Sequence, residues 1–311
     1  MTYTQIQWGI LLFAVLIVGV WIHSSSFVII YDKKILYFSG FLSAFLLLLY
    51  IFYIKFRPIP EIVILLQSLF VLQFYTPLMV ILSYLACTAN YPFIDSTLAS
   101  FENYLGFNSS ILVLWFRGHE LWQTIFHCIY QSYYYQEIAI IIYFTYQRKA
   151  LHLQRFLTQF MIAASVTSLI STFLPAEGPY VWYDYTPSPS LANSLSHLLE
   201  LRQQIVNIIK IDGVTTFPSF HTIMALIYAY CFRFERKLIF IPVLILNLLI
   251  VFSCLPIGQH YLADIVGAIP VFLAIIYLEK LIFKCAAFSQ AKNQEKIKKL
   301  SESSFGESYR Q

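Results

Sequence analysis

Charge is what this chain has least of. Of its 311 residues only 12% are Asp, Glu, Lys or Arg, against 59% hydrophobic, and the mean hydropathy is +0.69. A soluble domain carries about 25% charged residues. The composition therefore excludes a water-soluble globular protein, and a disordered or collagenous chain as well. The net charge of +4 is spread in small groups, which excludes the concentrated basic patch of a nucleic-acid binder. The five cysteines (Cys87, Cys128, Cys231, Cys254 and Cys285) form no C-x-x-C pair and no zinc spacing. They read as small core residues. No Lys or Arg precedes the first apolar run in MTYTQIQWG, and no small-residue cleavage site follows it. That run reads as a retained helix, not a cleaved signal peptide. No internal repeat is present.

What the chain does have is long apolar runs. A membrane-spanning helix needs about 20 residues, and eight stretches qualify, over 7–30, 35–54, 61–87, 122–146, 152–174, 217–233, 238–254 and 261–283. The expected fold is an all-α polytopic membrane bundle of about eight transmembrane helices. Two N-terminal helices occupy 1–60, six more occupy 61–283, and a polar cytoplasmic tail follows over 284–311. Fifteen of the twenty Lys and Arg fall at one set of helix ends, leaving only Lys33, Lys34, Arg117, Arg202 and Lys210 at the other. By the positive-inside rule both termini are then cytoplasmic. The long loops 88–121 and 175–216 face the periplasm, the cell exterior or a lumen. Within the second, Leu191, Leu195, Leu198, Ile205 and Ile209 recur at helical steps, which predicts an amphipathic helix over 190–210 on the membrane surface.

Three polar features interrupt the apolar background: Pro175-Ala176-Glu177-Gly178-Pro179-Tyr180, Thr215-Thr216-Phe217-Pro218-Ser219-Phe220-His221-Thr222, and Gly258-Gln259-His260-Tyr261-Leu262-Ala263-Asp264. Counting spans brings all three to one face. Pro218 suits the first turn of a helix, which would put His221 among free backbone N–H groups that favour an anion. His260 and Asp264, four residues apart, share a helix face. A carboxylate there fixes the imidazole tautomer and raises its basicity, making His260 a candidate base or nucleophile. The same pair also fits a helix surface contact, or two ligands of a metal site completed by His221, Glu177 or Cys254.

Taken together, these residues resemble the type 2 phosphatidic acid phosphatase superfamily, and most closely its branch containing inositol phosphorylceramide synthases. Phe217-Pro218-Ser219-Phe220-His221 matches the second motif of that branch, and His260, Tyr261 and Asp264 match its H-Y-x-x-D. The resemblance spans about residues 171–268 and implies a six-helix catalytic core without cofactor or metal. It implies that His260 is the nucleophile that forms a phosphohistidine, that Asp264 orients it, and that His221 is the general acid. Ser219 would hold phosphoryl oxygens, and Tyr261 belongs to the same motif. The superfamily's first motif, a Lys six residues before Arg-Pro, is absent, and Gly178, Pro179 and Tyr180 stand roughly where it belongs, as candidate substrate-binding residues. Cys254 replaces the Arg of the third motif. Arg117, His119, Arg202 and Lys210 are candidates to supply the missing positive charge. The implied activity is phosphoryl transfer from a phospholipid or lipid phosphate to an alcohol or lipid acceptor, with hydrolysis by water as the alternative. A transporter or structural membrane protein is the non-enzymatic one.

Overall fold

The computed structural model describes residues 2–209 and 213–284. Lys210, Cys285 and the tail expected beyond Lys284 lie outside the described residues. In chain order the elements are α1 Tyr3–His23, β1 Val28–Ile30, α2 Lys33–Lys55, α3 Pro60–Thr88, α4 Asp95–Tyr104, α5 Ser109–Arg117, α6 Glu120–Tyr146 and α7 Ala150–Phe173. There follow α8 Pro179–Trp182, α9 Pro189–Arg202, β2 Ile205–Asn207, α10 Phe220–Cys231, α11 Lys237–Ser253 and α12 Leu262–Lys284. Each of the eight apolar runs contains a helix. Five of them (α1, α2, α3, α7 and α12) are long and apolar enough to cross a membrane. The fold is an all-α helical membrane bundle. Local chemistry sets the ends: Thr2 and Gln5 form a capping box on α1, Asp32 caps α2, and Pro60 opens α3 at a position where a missing N–H costs nothing.

The sequence expectation differs from the structure in three places. The first run stops at His23, not near 30, because Ser24 caps the helix and the β-branched Val28-Ile29-Ile30 leaves it as strand β1. Strand β1 pairs in parallel with β2, Val28 opposite Ile205 and Ile30 opposite Asn207. The segment expected to be helical over 190–210 therefore ends at Arg202, and the Ile205-Val206 pair goes to a sheet. Its apolar stripe also does not lie bare on a membrane surface. Leu198 and Leu201 pack with Tyr84 and Cys87 at the end of α3 and with Val206 and Val214. An amphipathic stripe seals against protein as readily as against lipid.

The central core is built by α3, α6, α7 and α10, with Tyr75, Phe144, Phe156, Phe160 and Tyr228 fully buried. Several polar groups inside it are paired with one another. Gln67 donates to Gln7 at 2.7 Å, and Gln7 donates to Thr158 at 3.1 Å, tying α1 to α3 and α7. At the same end Glu279 of α12 is fully buried; Arg155 holds it with two bonds of 2.8 and 2.9 Å, and Tyr3 adds a third at 2.6 Å. Removing one partner of such a pair strands the other charge. Glu279→Ala is expected to destabilise the bundle by about 3 kcal/mol, read as a lowered melting temperature in detergent. The double change Glu279→Leu with Arg155→Met should recover most of that loss; a double variant no more stable than Glu279→Ala would refute the account.

Candidate active site

The start of α10 is set by a serine. Ser219 is its N-cap: the Oγ accepts from the Thr222 amide at 3.3 Å and from the Thr222 hydroxyl at 3.1 Å. Pro218 therefore precedes the helix and does not open it, following a cis peptide bond from Phe217. Ser219 is fully buried, and its hydroxyl is engaged in capping and in a long contact of 3.9 Å to the Cys254 sulfur. His221, in the first turn of α10, stacks on Tyr130 with ring centroids 4.3 Å apart. The Tyr130 hydroxyl donates to Gln259 Oε1 at 2.6 Å and lies 2.9 Å from His221 Nδ1. A hydroxyl has one proton to give. With that proton on Gln259, Nδ1 of His221 is the donor of the second bond, and its Nε2 is left for chemistry.

His260 sits just before α12, and Asp264 within its first turn. The Asp264 Oδ2 accepts from the Tyr261 amide at 2.8 Å, which is half of a capping box, and lies 3.2 Å from His260 Nδ1. One carboxylate oxygen thus ends the helix and orients the imidazole. With Nδ1–H directed at Asp264, the lone pair is on Nε2. That nitrogen is buried and has no hydrogen-bond partner among the described residues. The two imidazole rings lie 6.3 Å apart. A backbone bond from the Ser219 amide to the Asp264 carbonyl, 3.2 Å, locks the two helix starts together. The fit allows no side chain at Gly267, where a Cβ would come within 2.6 Å of the Phe217 ring.

Two residues that the sequence reading missed hold this arrangement from α4. Asp95, buried, accepts from the Glu177 amide and the Gly178 amide, both at 2.9 Å, and from the Tyr261 hydroxyl at 2.8 Å. Glu102, fully buried, accepts from the Leu262 amide at 2.6 Å, the Tyr183 hydroxyl at 2.8 Å and the Ser109 hydroxyl at 3.0 Å. Asp95, Leu98, Ala99 and Glu102 fall on one buried helical stripe. Acids on the same stripe as apolar residues were the available signal.

Gly178, Pro179, Tyr180 and Tyr261 take structural positions here. The Gly178 amide is engaged by Asp95, and its φ of +118° favours glycine. Pro179 is buried and opens α8. Tyr180 is buried against Val113, Tyr185 and Leu191. Tyr261 is fully buried, and burial together with the Asp95 carboxylate pushes its hydroxyl well above the usual tyrosine range. No group of three His, Cys, Asp or Glu with metal-holding geometry occurs among the described residues.

Of the cations proposed as replacements, Arg202 lies over the Phe93 ring at 4.0 Å and donates to the Tyr91 carbonyl. His119 stacks on Trp115. Arg117 alone of the three described lines a cavity shared with Tyr130 and Gln259, a space of about 450 Å³.

A histidine held by a carboxylate, with a second histidine beside it, thus sits among the helix starts of an integral membrane protein. Residues 96–278 match the PAP2 superfamily, and the chain belongs to it. The match covers more than half the chain and includes all three polar segments. Membership makes it an enzyme of the phosphatase and phosphotransferase class acting on lipid phosphates. No curated protein and no solved structure matches the chain.

Asp95→Asn is expected to put an amide N–H against one of the two backbone amides that Asp95 now accepts. An unsatisfied buried donor costs about 1–3 kcal/mol, so the melting temperature should fall. Asp95→Glu should do less harm than Asp95→Asn, and equal losses would argue against hydrogen-bond acceptance as the reason.

Proposed function

We propose that the chain is a lipid phosphotransferase working through a phosphohistidine at His260, of the kind found in the inositol phosphorylceramide synthase branch. The observation that carries this reading is the free, buried Nε2 of His260 on an imidazole whose other nitrogen is held by Asp264. In the first half-reaction Nε2 attacks the phosphorus of a lipid phosphodiester. The bond to the leaving oxygen breaks, and His221, entering the step as an imidazolium with both ring nitrogens protonated, gives that oxygen its Nε2 proton. In the second half-reaction an alcohol attacks, His221 takes its proton back, and the P–N bond breaks to release His260. Ser219 caps the helix whose N-terminus faces the phosphoryl oxygens, and it supports their stabilisation through that helix.

Two features favour an alcohol over water as acceptor. Cys254 stands where the superfamily has a basic residue. A phosphodiester bears one less charge than a phosphomonoester and needs less cationic help. His260 is almost wholly buried, and the first turn of α9, with Ser190 and Leu191, lines the cavity beside it, an arrangement suited to excluding water. Hydrolysis of a lipid phosphate is the second reading, favoured by superfamily membership. We further propose that both termini are cytoplasmic and that the site opens on the opposite, exported face, on the strength of the Lys and Arg distribution.

His260→Ala should abolish turnover and labelling of the protein by a phosphorus-labelled lipid. His221→Ala should slow turnover by about 10²–10⁴-fold, the range of a lost general acid. Vanadate should inhibit, and EDTA should not. With a phosphodiester lipid, product should depend on an added alcohol; rapid release of inorganic phosphate from phosphatidic acid, indifferent to any alcohol, would instead establish the phosphatase. For orientation, cysteines placed at Asp184 and Glu295 in an otherwise cysteine-free chain should label from opposite faces, Glu295→Cys from the cytoplasm. Labelling of Asp184→Cys from the cytoplasm alone would reverse the orientation.

A further inference from the structure

Helix α6 belongs to neither histidine motif, yet it touches His221 with two aromatic rings. Tyr130 stacks on the imidazole with centroids 4.3 Å apart and planes at 30°, and Tyr133 meets it tilted at 4.8 Å. Residues at that spacing share a helix face. The Tyr130 hydroxyl lies 2.9 Å from Nδ1 of His221 and 2.6 Å from Oε1 of Gln259, and Gln259 is the residue before His260. One buried hydroxyl therefore ties His221 to the segment that carries the second histidine. The amide oxygen can only accept, so the hydroxyl proton goes to it and an oxygen lone pair is turned toward Nδ1. That lone pair supports a proton on Nδ1 in either charge state of His221. It does so most strongly for the imidazolium, because a bond from a charged donor is about twice as strong. The faces of the tyrosine rings attract the same cation.

We propose that Tyr130 and Gln259 are positioning residues for phosphoryl transfer: they fix the Nδ1 proton of His221 and support its imidazolium, so that Nε2 alone exchanges protons with substrate oxygens. The proposal rests on the reading of His221 as general acid and adds the groups that make it one. In the first half-reaction the Nε2 proton passes to the leaving oxygen and the Nδ1 proton stays. In the second, Nε2 takes the proton of the attacking hydroxyl as the P–N bond breaks. Tyr130 and Gln259 exchange no proton with substrate in either step. Other ionisable groups near His221 do not take this role. His260, paired with Asp264, faces it with ring centroids 6.3 Å apart. Cys254, at the end of α11, packs on Tyr130. Glu137 of α6 accepts from Tyr228. Arg117 and His127 line the larger cavity with Tyr130. The side chains of α3 and α7 that line the smaller cavity reaching His221, about 210 Å³, are uncharged. The Tyr130 oxygen is the one partner of Nδ1 among the described residues.

The test uses the full-length protein in detergent and two readouts. The first needs no turnover: the nitrogen NMR spectrum of histidine-labelled protein, with His221 identified by the signals lost in His221→Gln. Neutral His221 should carry its proton on Nδ1. In Gln259→Met the Tyr130 hydroxyl is free to donate to Nδ1, and the imidazole proton should move to Nε2. The second readout is the pH dependence of phosphohistidine formation from phosphorus-labelled phosphatidylglycerol or phosphatidic acid. His221 must be protonated for that step, so the rate falls as pH rises through its pKa. Tyr130→Phe keeps the ring and removes the acceptor. It should move the alkaline limb about one pH unit lower, tenfold in proton affinity, with the melting temperature little changed. Gln259→Met should move the limb the same way. A tyrosine that only fills space would leave the limb where it is, since phenylalanine fills the same space. The variants lie on different elements, so either one suffices if the other fails to fold. A wild-type proton on Nε2, a proton kept on Nδ1 in Gln259→Met, or an unmoved limb in either folded variant would overturn the proposal. If the tautomers behave as expected but the wild-type protein forms no phosphohistidine, the Tyr130–Gln259 arrangement stands and the phosphohistidine reading falls.

Discussion

Helix starts that open inside a lipid bundle expose backbone N–H groups with no water to meet them. The whole site depends on two carboxylates answering that demand. Asp95 and Glu102, one helical stripe on α4, take up the amides of Glu177, Gly178 and Leu262 and the hydroxyls of Tyr183 and Tyr261. The loop after α7 and the start of α12 are thereby pinned to a common support. The start of α10 is joined to the same support by a backbone bond from Ser219 to Asp264 and by the Thr216 hydroxyl on the Ala176 carbonyl. The histidines are placed by this scaffold; they do not make it.

The same arrangement explains how the site manages with few cations. The positions of the superfamily's first-motif basic residues are not occupied by charge, and its third-motif arginine is a buried cysteine, Cys254. Orientation is supplied without cations: Tyr130 on His221, the Asp264 carboxylate on His260, and the capped end of α10. Of the candidate replacement cations among the described residues, Arg117 is the one that lines the larger cavity.

Much of this was legible in the sequence, and for identifiable reasons. The helices announced themselves through runs too long and too apolar for anything else. His221, His260 and Asp264 were legible because each lies within a compact motif whose members are also close in space. Asp95 and Glu102 were not, because all their partners but Ser109 stand 81 to 166 residues away along the chain, and a bond of that span has no local signature. The α9 stripe was read as amphipathic, and the structure shows part of it covered by protein. Periodicity records which face is apolar, not what covers it. Strand β1 escaped notice because Val28-Ile29-Ile30 continues an apolar run seamlessly, and only its pairing distinguishes it from helix.

That pairing bears on biogenesis. The turn between α1 and α2 is made at the beginning of synthesis, yet its strand finds its parallel partner in β2, behind nine of the twelve helices. Until the ribosome has passed Asn207 and the segment has been delivered to the same end of the bundle, β1 must wait with its edge open. The first helical hairpin can be inserted early, but its turn is closed late, and the closing strand follows directly on α9, the helix that lines the cavity. The turn is thus closed only once the α9 part of the cavity wall has been made.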